Sequence, residues 1–141
     1  MQKIRIIIAG GRKFNNYDIL DDFVGKILTD HILKNEYHIH RSDVEIVSGR
    51  AQGPDQMGEE YSRRHGLKLA LFPADWDGKG KYAGYIRNEE MAKYASADDC
   101  EKGYLIAFWD GVSRGTKNMI ENAKKYGLET FIYSYKREDY E

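Results

Sequence analysis

Apolar positions along the chain switch repeatedly between two spacings, and each switch marks an element. Ile4, Ile6, Ile7 and Ile8 form a run that ends at Gly10-Gly11, as a strand buried on both faces does where it breaks into a tight turn. From Tyr17 the apolar residues Ile19, Leu20, Phe23, Val24, Ile27, Leu28, Ile32 and Leu33 recur at helical spacing, with Asp18, Asp21 and Asp22 near the start. That pattern predicts one long amphipathic helix whose acidic end meets the positive pole of the helix dipole. Residues 44–47 read as a second strand, followed by SGRAQGPDQMG and a helix with Pro54 in its first turn and a cap at Gly66. Residues 67–72 give a third strand, FPADWDGKGKYAGYIR a long loop, and 88–94 a helix that begins at Asn88 or a few residues before it. A fourth strand over 104–109, the loop DGVSRG, a helix over 116–126 capped by Gly127 and a fifth strand over 130–135 complete the chain.

Strands alternating with helices throughout predict an α/β fold, a five-stranded parallel sheet with helices on both faces, because right-handed crossovers place them there. The strand order 3-2-1-4-5 is preferred over 2-1-3-4-5. At 141 residues the chain suits one domain, expected over 1–135, with a charged, fraying tail over 136–141. One cysteine, Cys100, excludes an intrachain disulfide and a Cys-rich zinc site, and no charged-then-apolar leader opens the sequence. A reducing, cytoplasmic setting is the expectation, and no apolar stretch near the start approaches the roughly 18 residues of a membrane span.

In open parallel sheets ligands bind beyond the carboxyl ends of the strands, so function is expected in four loops: GGRKF, SGRAQGPD, PADWDGKGKYAGYIRN and WDGVSRGT. Each carries an arginine: Arg12, Arg50, Arg87 and Arg114. The net charge is −1, from 22 Lys and Arg against 23 Asp and Glu, yet these loops sum to +3 and leave −4 on the remainder. A local anion site fits that division, whereas an extended track for single-stranded nucleic acid does not. Glycines that let backbone N–H groups approach a ligand at a helix N-terminus are a general means of holding phosphate. Gly10 and Gly11, Ser48 with Gly49 and Gly53, and Ser113 with Gly115 and Thr116 stand where such contacts form; the bland alternative is that the chain simply turns tightly there.

The common nucleotide signatures do not match, since SGRAQGPD lacks the Lys-Ser/Thr ending of a P-loop and GGRKF lacks the third glycine of a dinucleotide fingerprint. His31, His38, His40 and His65 fall in helices or connections away from the rim, so neither a histidine base nor a metal triad is expected there. Asp55 either stabilises a helix N-terminus or meets a ribose hydroxyl. Arg87-Asn88 either grip a phosphate or scaffold the loop through Asp75 or Asp77. Trp76, Tyr82 and Phe14 either stack on a base or cap the sheet edge. Ser113 and Thr116 lack a neighbouring base, so Thr116 is read as an N-cap and phosphate donor.

Taken together, GGRKF, SGRAQGPDQMGEEYSRRHGL, LFPADWDGKGKYAGYIRNEEMA and AFWDGVSRGTKNMIENAKKYGL resemble the YspA-related (YpsA-like) branch of the SLOG superfamily. The combination of PADW, AG-x-x-RN-x-x-M and S-x-GT carries the likeness over nearly the whole chain. It implies a Rossmann-like three-layer fold that binds a nucleotide or nucleotide-derived ligand as a sensor, effector or sequestering module, with Arg87, Asn88 and Asp55 matching the branch's pattern. Homodimers or higher homo-oligomers are implied as well. The more distant Lonely-guy phosphoribohydrolases cleave a nucleoside monophosphate with a Gly-Thr-x-x-Glu motif; here Gly115-Thr116 is followed by Met119 at the glutamate position. The alternative function, a nucleotide hydrolase acting on an N-glycosidic or phosphoester bond, therefore rests on Asp55 and Asp110 as stand-in carboxylates. No resident cofactor or metal is indicated, and Mg²⁺ enters only as the companion of a phosphorylated ligand. The small size suits a stand-alone unit of a phage or mobile element.

Overall fold

The computed structural model describes residues 4–35 and 37–140. Residues 1–3 of the expected domain and Glu141 of the expected tail lie outside the described residues. Five parallel strands, β1 (Ile4–Gly10), β2 (Val44–Ser48), β3 (Lys68–Leu71), β4 (Lys102–Trp109) and β5 (Glu129–Ser134), pair in the order β3-β2-β1-β4-β5. This is the order expected from the sequence, and the sheet has helices on both faces.

The sandwich follows from the period-two geometry of a strand, which sends alternate side chains to opposite faces. Ile4, Ile6 and Ile8 of β1 pack on one face with Leu20 and Val24 of α1 (Tyr17–Lys26) and Tyr61 of α2 (Pro54–His65). Ile7 and Ala9 point the other way, against Met91, Ala92 and Ala95 of α4 (Ala83–Ala95) and Met119, Ile120 and Ala123 of α5 (Arg114–Lys125). β1 and β4 lie at the centre and are buried nearly throughout, which is why both read as continuous apolar runs rather than alternating ones.

Several boundaries differ from the sequence expectation. The long first helix is α-helical only to Lys26 and continues as a wider π-helical stretch over Ile27–Leu33, with Lys34 N–H bonding to the Thr29 carbonyl at 3.1 Å. The five-residue return of a π turn puts both Ile27 and Ile32 into the core. β3 is shorter by one residue at each end, β4 starts two residues earlier, and β5 runs one residue earlier than expected. The connector after β3 is not one long loop: Asp75 caps a single turn, α3 (Trp76–Lys79), by accepting the Gly78 N–H at 2.9 Å, and α4 begins at Ala83, five residues before Asn88. Helix α5 starts at Arg114 with Ser113 as its cap, so Thr116 lies in the first turn rather than at the N-cap. Asp110 explains the shift, because its Oδ1 takes the N–H groups of Val112 and Ser113 and turns the chain into the helix there.

Candidate functional site

The strand order reverses between β1, which leads toward β2, and β4, which leads toward β5. At that crevice the carboxyl ends of the strands open onto a cleft of about 500 Å³, within the roughly 300–1,000 Å³ usual for small-molecule sites. Its floor is Ala9 and Gly10 at the end of β1 with Met119 of α5, and one wall is the α5 start, Ser113 to Thr116. The opposite wall is Gly84, Tyr85, Arg87 and Asn88 of α4, with Asp55 of α2 below and Trp76 and Lys81 at the mouth.

Of the residues expected from sequence, Gly10, Arg12, Asp55, Trp76, Arg87, Asn88, Ser113, Arg114, Gly115 and Thr116 converge on this cleft. Gly11 lines an adjoining cavity. Ser48, Gly49, Arg50, Gly53 and Asp75 line neither. Ser48 is fully buried beneath the loop, its hydroxyl 2.7 Å from Glu59 Oε2 and 3.1 Å from the Asp55 carbonyl, and it accepts the Arg50 N–H. Arg50 adopts φ +65°, unusual for a side-chain-bearing residue, and lies 3.3 Å from Glu59. Gly53, at φ +93°, passes so close to the first loop that a Cβ there would sit 2.8 Å from the Gly11 carbonyl. Phe14 is not available to a ligand, since it is wholly buried and packs on Phe108 with ring centroids 5.0 Å apart. Trp76 and Tyr82 are exposed by 59% and 58%, but only Trp76 reaches the cleft.

Arg87 and Asp55 form the electrostatic centre. The Arg87 guanidinium donates to the Gly49 carbonyl and, through Nε at 3.0 Å, to Asn88 Oδ1. Neither Asp75 nor Asp77 is its partner, so the scaffold it makes is with the second loop. Asp55 is 4% exposed and accepts the Ala51 N–H at 3.4 Å. Burial pushes its carboxyl up to about 7, with the positive charge of Arg87 and backbone N–H groups opposing the rise. The same burial lowers Arg87 from its ordinary value, partly offset by Asp55. A Cβ on Gly49 would come within 2.8 Å of Asp55 and 2.9 Å of Arg87, so this position is packed against the Asp55–Arg87 pair and does not itself line the cleft. Helix α5 differs: Gly115 borders the cleft with nothing within 4 Å of its Cβ direction, and the N-terminal turn stays open. Asn88 ties the walls together, donating to Asn118 Oδ1 at 3.0 Å and to the Gly115 carbonyl at 3.3 Å.

Asp110 does not line this cleft. Although partial burial works against it, the N–H groups of Ser113 and Val112 and the Arg137 guanidinium hold its carboxyl below the usual range. His31, His38 and His65 meet Glu129, Glu101 and Asp21 at the surface, remote from the site. Among the described residues no three His, Cys, Asp or Glu side chains gather as a metal group, and no helix is long and apolar enough to cross a membrane.

Two contributors escaped the sequence reading. Glu59, one turn after Asp55 on α2, is buried under Ser48 and Arg50, and its polar character gave no hint of that. Arg137 lines the cleft from beyond β5. A usable signal existed for it: in a parallel sheet the last strand also ends at the ligand rim, so the residues after β5 form a fifth rim segment.

Comparison with known proteins completes the description. The sequence model of the family described as YspA, cpYpsA-related SLOG matches residues 4–78. The Gene 61 protein of Mycobacterium phage D29 is 30% identical over 137 residues, covering 94% of this chain and 98% of that protein. A phage relative fits the expectation of a phage or mobile-element source. No solved structure matches the chain significantly.

Proposed function

Since the chain belongs to the YspA, cpYpsA-related SLOG family, whose members point to nucleotide-related small molecules, we propose that it binds a nucleotide or nucleotide-derived phosphorylated ligand in the cleft. The observation that carries this reading is the excess of cationic and N–H donors over carboxylates. Arg12, Lys81, Arg87 and Arg114 line the same cleft as the open α5 N-terminus, and Asp55 is the one carboxylate among the lining residues. Phosphate seats at α5, where the helix dipole and the N–H groups of its first turn add to the Thr116 hydroxyl. Arg87 approaches from α4, and Trp76 at the mouth offers a face on which a base stacks. Binding without chemistry makes the protein a sensor, effector or sequestering module.

The test is mass spectrometry of small molecules released from purified protein, joined to a thermal-shift panel of AMP, ADP-ribose, NAD and cyclic nucleotides. A ligand bound only by the folded state raises Tm, and Arg87→Ala should weaken it by about 10- to 150-fold, the equivalent of ~1.5–3 kcal/mol for a charged hydrogen bond. No shift with any nucleotide removes the reading.

One observation favours hydrolysis as the second reading. Asp55 borders the cleft with a carboxyl near 7, where an acid or base exchanges protons most usefully at neutral pH. Release of free base, ribose phosphate or phosphate by the wild type, abolished in Asp55→Asn, would establish it; intact recovery of every nucleotide would dismiss it.

A further inference from the structure

Past the cleft the rim continues into a second cavity of about 370 Å³. The two adjoin across Arg12, Ser113 and Arg137, which line both. The outer cavity adds Lys13, Gln52 and Tyr135. Three cations therefore face it, Arg12, Lys13 and Arg137, against one carboxylate, Asp110.

That carboxylate is already committed. Its Oδ1 accepts from Val112 and Ser113 at 2.9 and 2.8 Å, and its Oδ2 lies 2.9 Å from Arg137 Nε. The Nε contact fixes the guanidinium while its two remaining nitrogens have no partner among the described residues. The side chains of Arg12 and Lys13 make neither a hydrogen bond nor an ion pair among the described residues. Tyr135 is brought in by the close pass of the first loop, since a Cβ on Gly11 would lie 2.6 Å from its hydroxyl.

We propose that the outer cavity is a second anion subsite, receiving the distal phosphoryl group of a nucleoside diphosphate or of its ester, with Arg137 as the residue that makes the protein prefer a diphosphate to a monophosphate. The inference rests on the nucleotide reading of the cleft and adds the class of ligand. A monophosphate seated at α5 leaves Lys13 without a counter-charge and the two remaining nitrogens of the Arg137 guanidinium without an acceptor among the described residues. A second phosphoryl group reaching past Arg12 meets Lys13 and the planar fork of Arg137, which Asp110 holds in place before the ligand arrives. The remaining lining, Gln52, Ser113 and the Tyr135 hydroxyl, suits a polar substituent on that phosphoryl group.

Titration calorimetry of the full chain with AMP and with ADP tests this. The wild type should bind ADP at least tenfold more tightly than AMP. Lys13 lines the outer cavity alone, so Lys13→Ala should pull that ratio toward one without moving the AMP affinity; Arg137→Ala, whose native side chain borders both cavities, should weaken ADP several-fold more than AMP, and Arg137→Lys should keep part of the preference. A wild-type ratio near one, or an Arg137→Ala variant that weakens both nucleotides alike, overturns the second subsite while leaving the nucleotide reading intact. Absence of binding by either nucleotide, with silence across the thermal-shift panel, overturns both together.

Discussion

Asp55 is the residue on which pH acts. An aspartate near 3.8 in the unfolded chain and about 7 in the folded one holds its proton more tightly when folded. Its contribution to stability is therefore fully present below pH ~4, declines as the pH rises toward 7, and is flat above. Three pH units correspond to at most about 4 kcal/mol. Asp55→Asn keeps an acceptor for the Ala51 N–H and loses the titration. Denaturant unfolding at pH 5 and pH 8 should show the variant gaining on the wild type by up to about 3 kcal/mol as the pH rises; a difference that does not change with pH would mean that the carboxyl ionises normally. Arg87 belongs to the same unit. The sequence leaves it either gripping a phosphate or scaffolding its own loop, and in the structure it faces Asp55 and holds the Gly49 carbonyl. Arg87→Ala should thus cost stability as well as affinity, and more at pH 8 than at pH 5, because Asp55 then ionises without its counter-charge.

Among the elements, the two loops that follow β1 and β2 are interlocked rather than merely adjacent. Gly53 holds a positive φ of 93° and lies against the Gly11 carbonyl. Gly53→Ala combines left-handed strain with a clash against backbone that cannot swing aside, so a loss above about 1 kcal/mol is expected. Because the first loop carries Arg12 and Lys13, the same variant should also weaken nucleotide binding, read from denaturation midpoints beside ligand titration. The α4–α5 wall behaves differently. Asn88 bridges to Asn118 and Gly115, which sets the α5 N-terminus relative to Arg87 without touching the second loop.

For the molecule as a whole, net charge is a poor guide to the site. A chain at −1 collects Arg12, Lys81, Arg87 and Arg114 around one cleft, so its attraction to anions is short in range. Nucleotide affinity should fall as salt screens the exposed cations, while single-stranded DNA should give no salt-sensitive gel shift, for want of an extended basic track. A shift that steepens at low salt would restore nucleic acid as a partner.

Local pattern determined a great deal. The apolar runs of β1 and β4 exist because both strands are covered on two faces, and Pro54 and Gly66 bracket α2 because each suits the backbone of its position; from those signals came the parallel sheet and the rim on which Arg12, Arg87 and Gly115 meet, whereas the strand order was a choice between two arrangements common to such sheets. Tertiary structure alone decided which rim residues face a ligand. Phe14 and Trp76 look alike as loop aromatics, yet one fills the core beside Phe108 and the other stays in solvent. Ser48 ends β2 and Ser113 follows β4, both at the rim, yet one is sealed over Glu59 and the other borders the cleft. Arg137 follows the last strand, and its place beside Asp110 comes from pairing between β4 and β5. Periodicity records how often a residue meets the core, and so it yields elements and layers; which side chains converge depends on contacts between segments far apart in the chain, and no single segment encodes them.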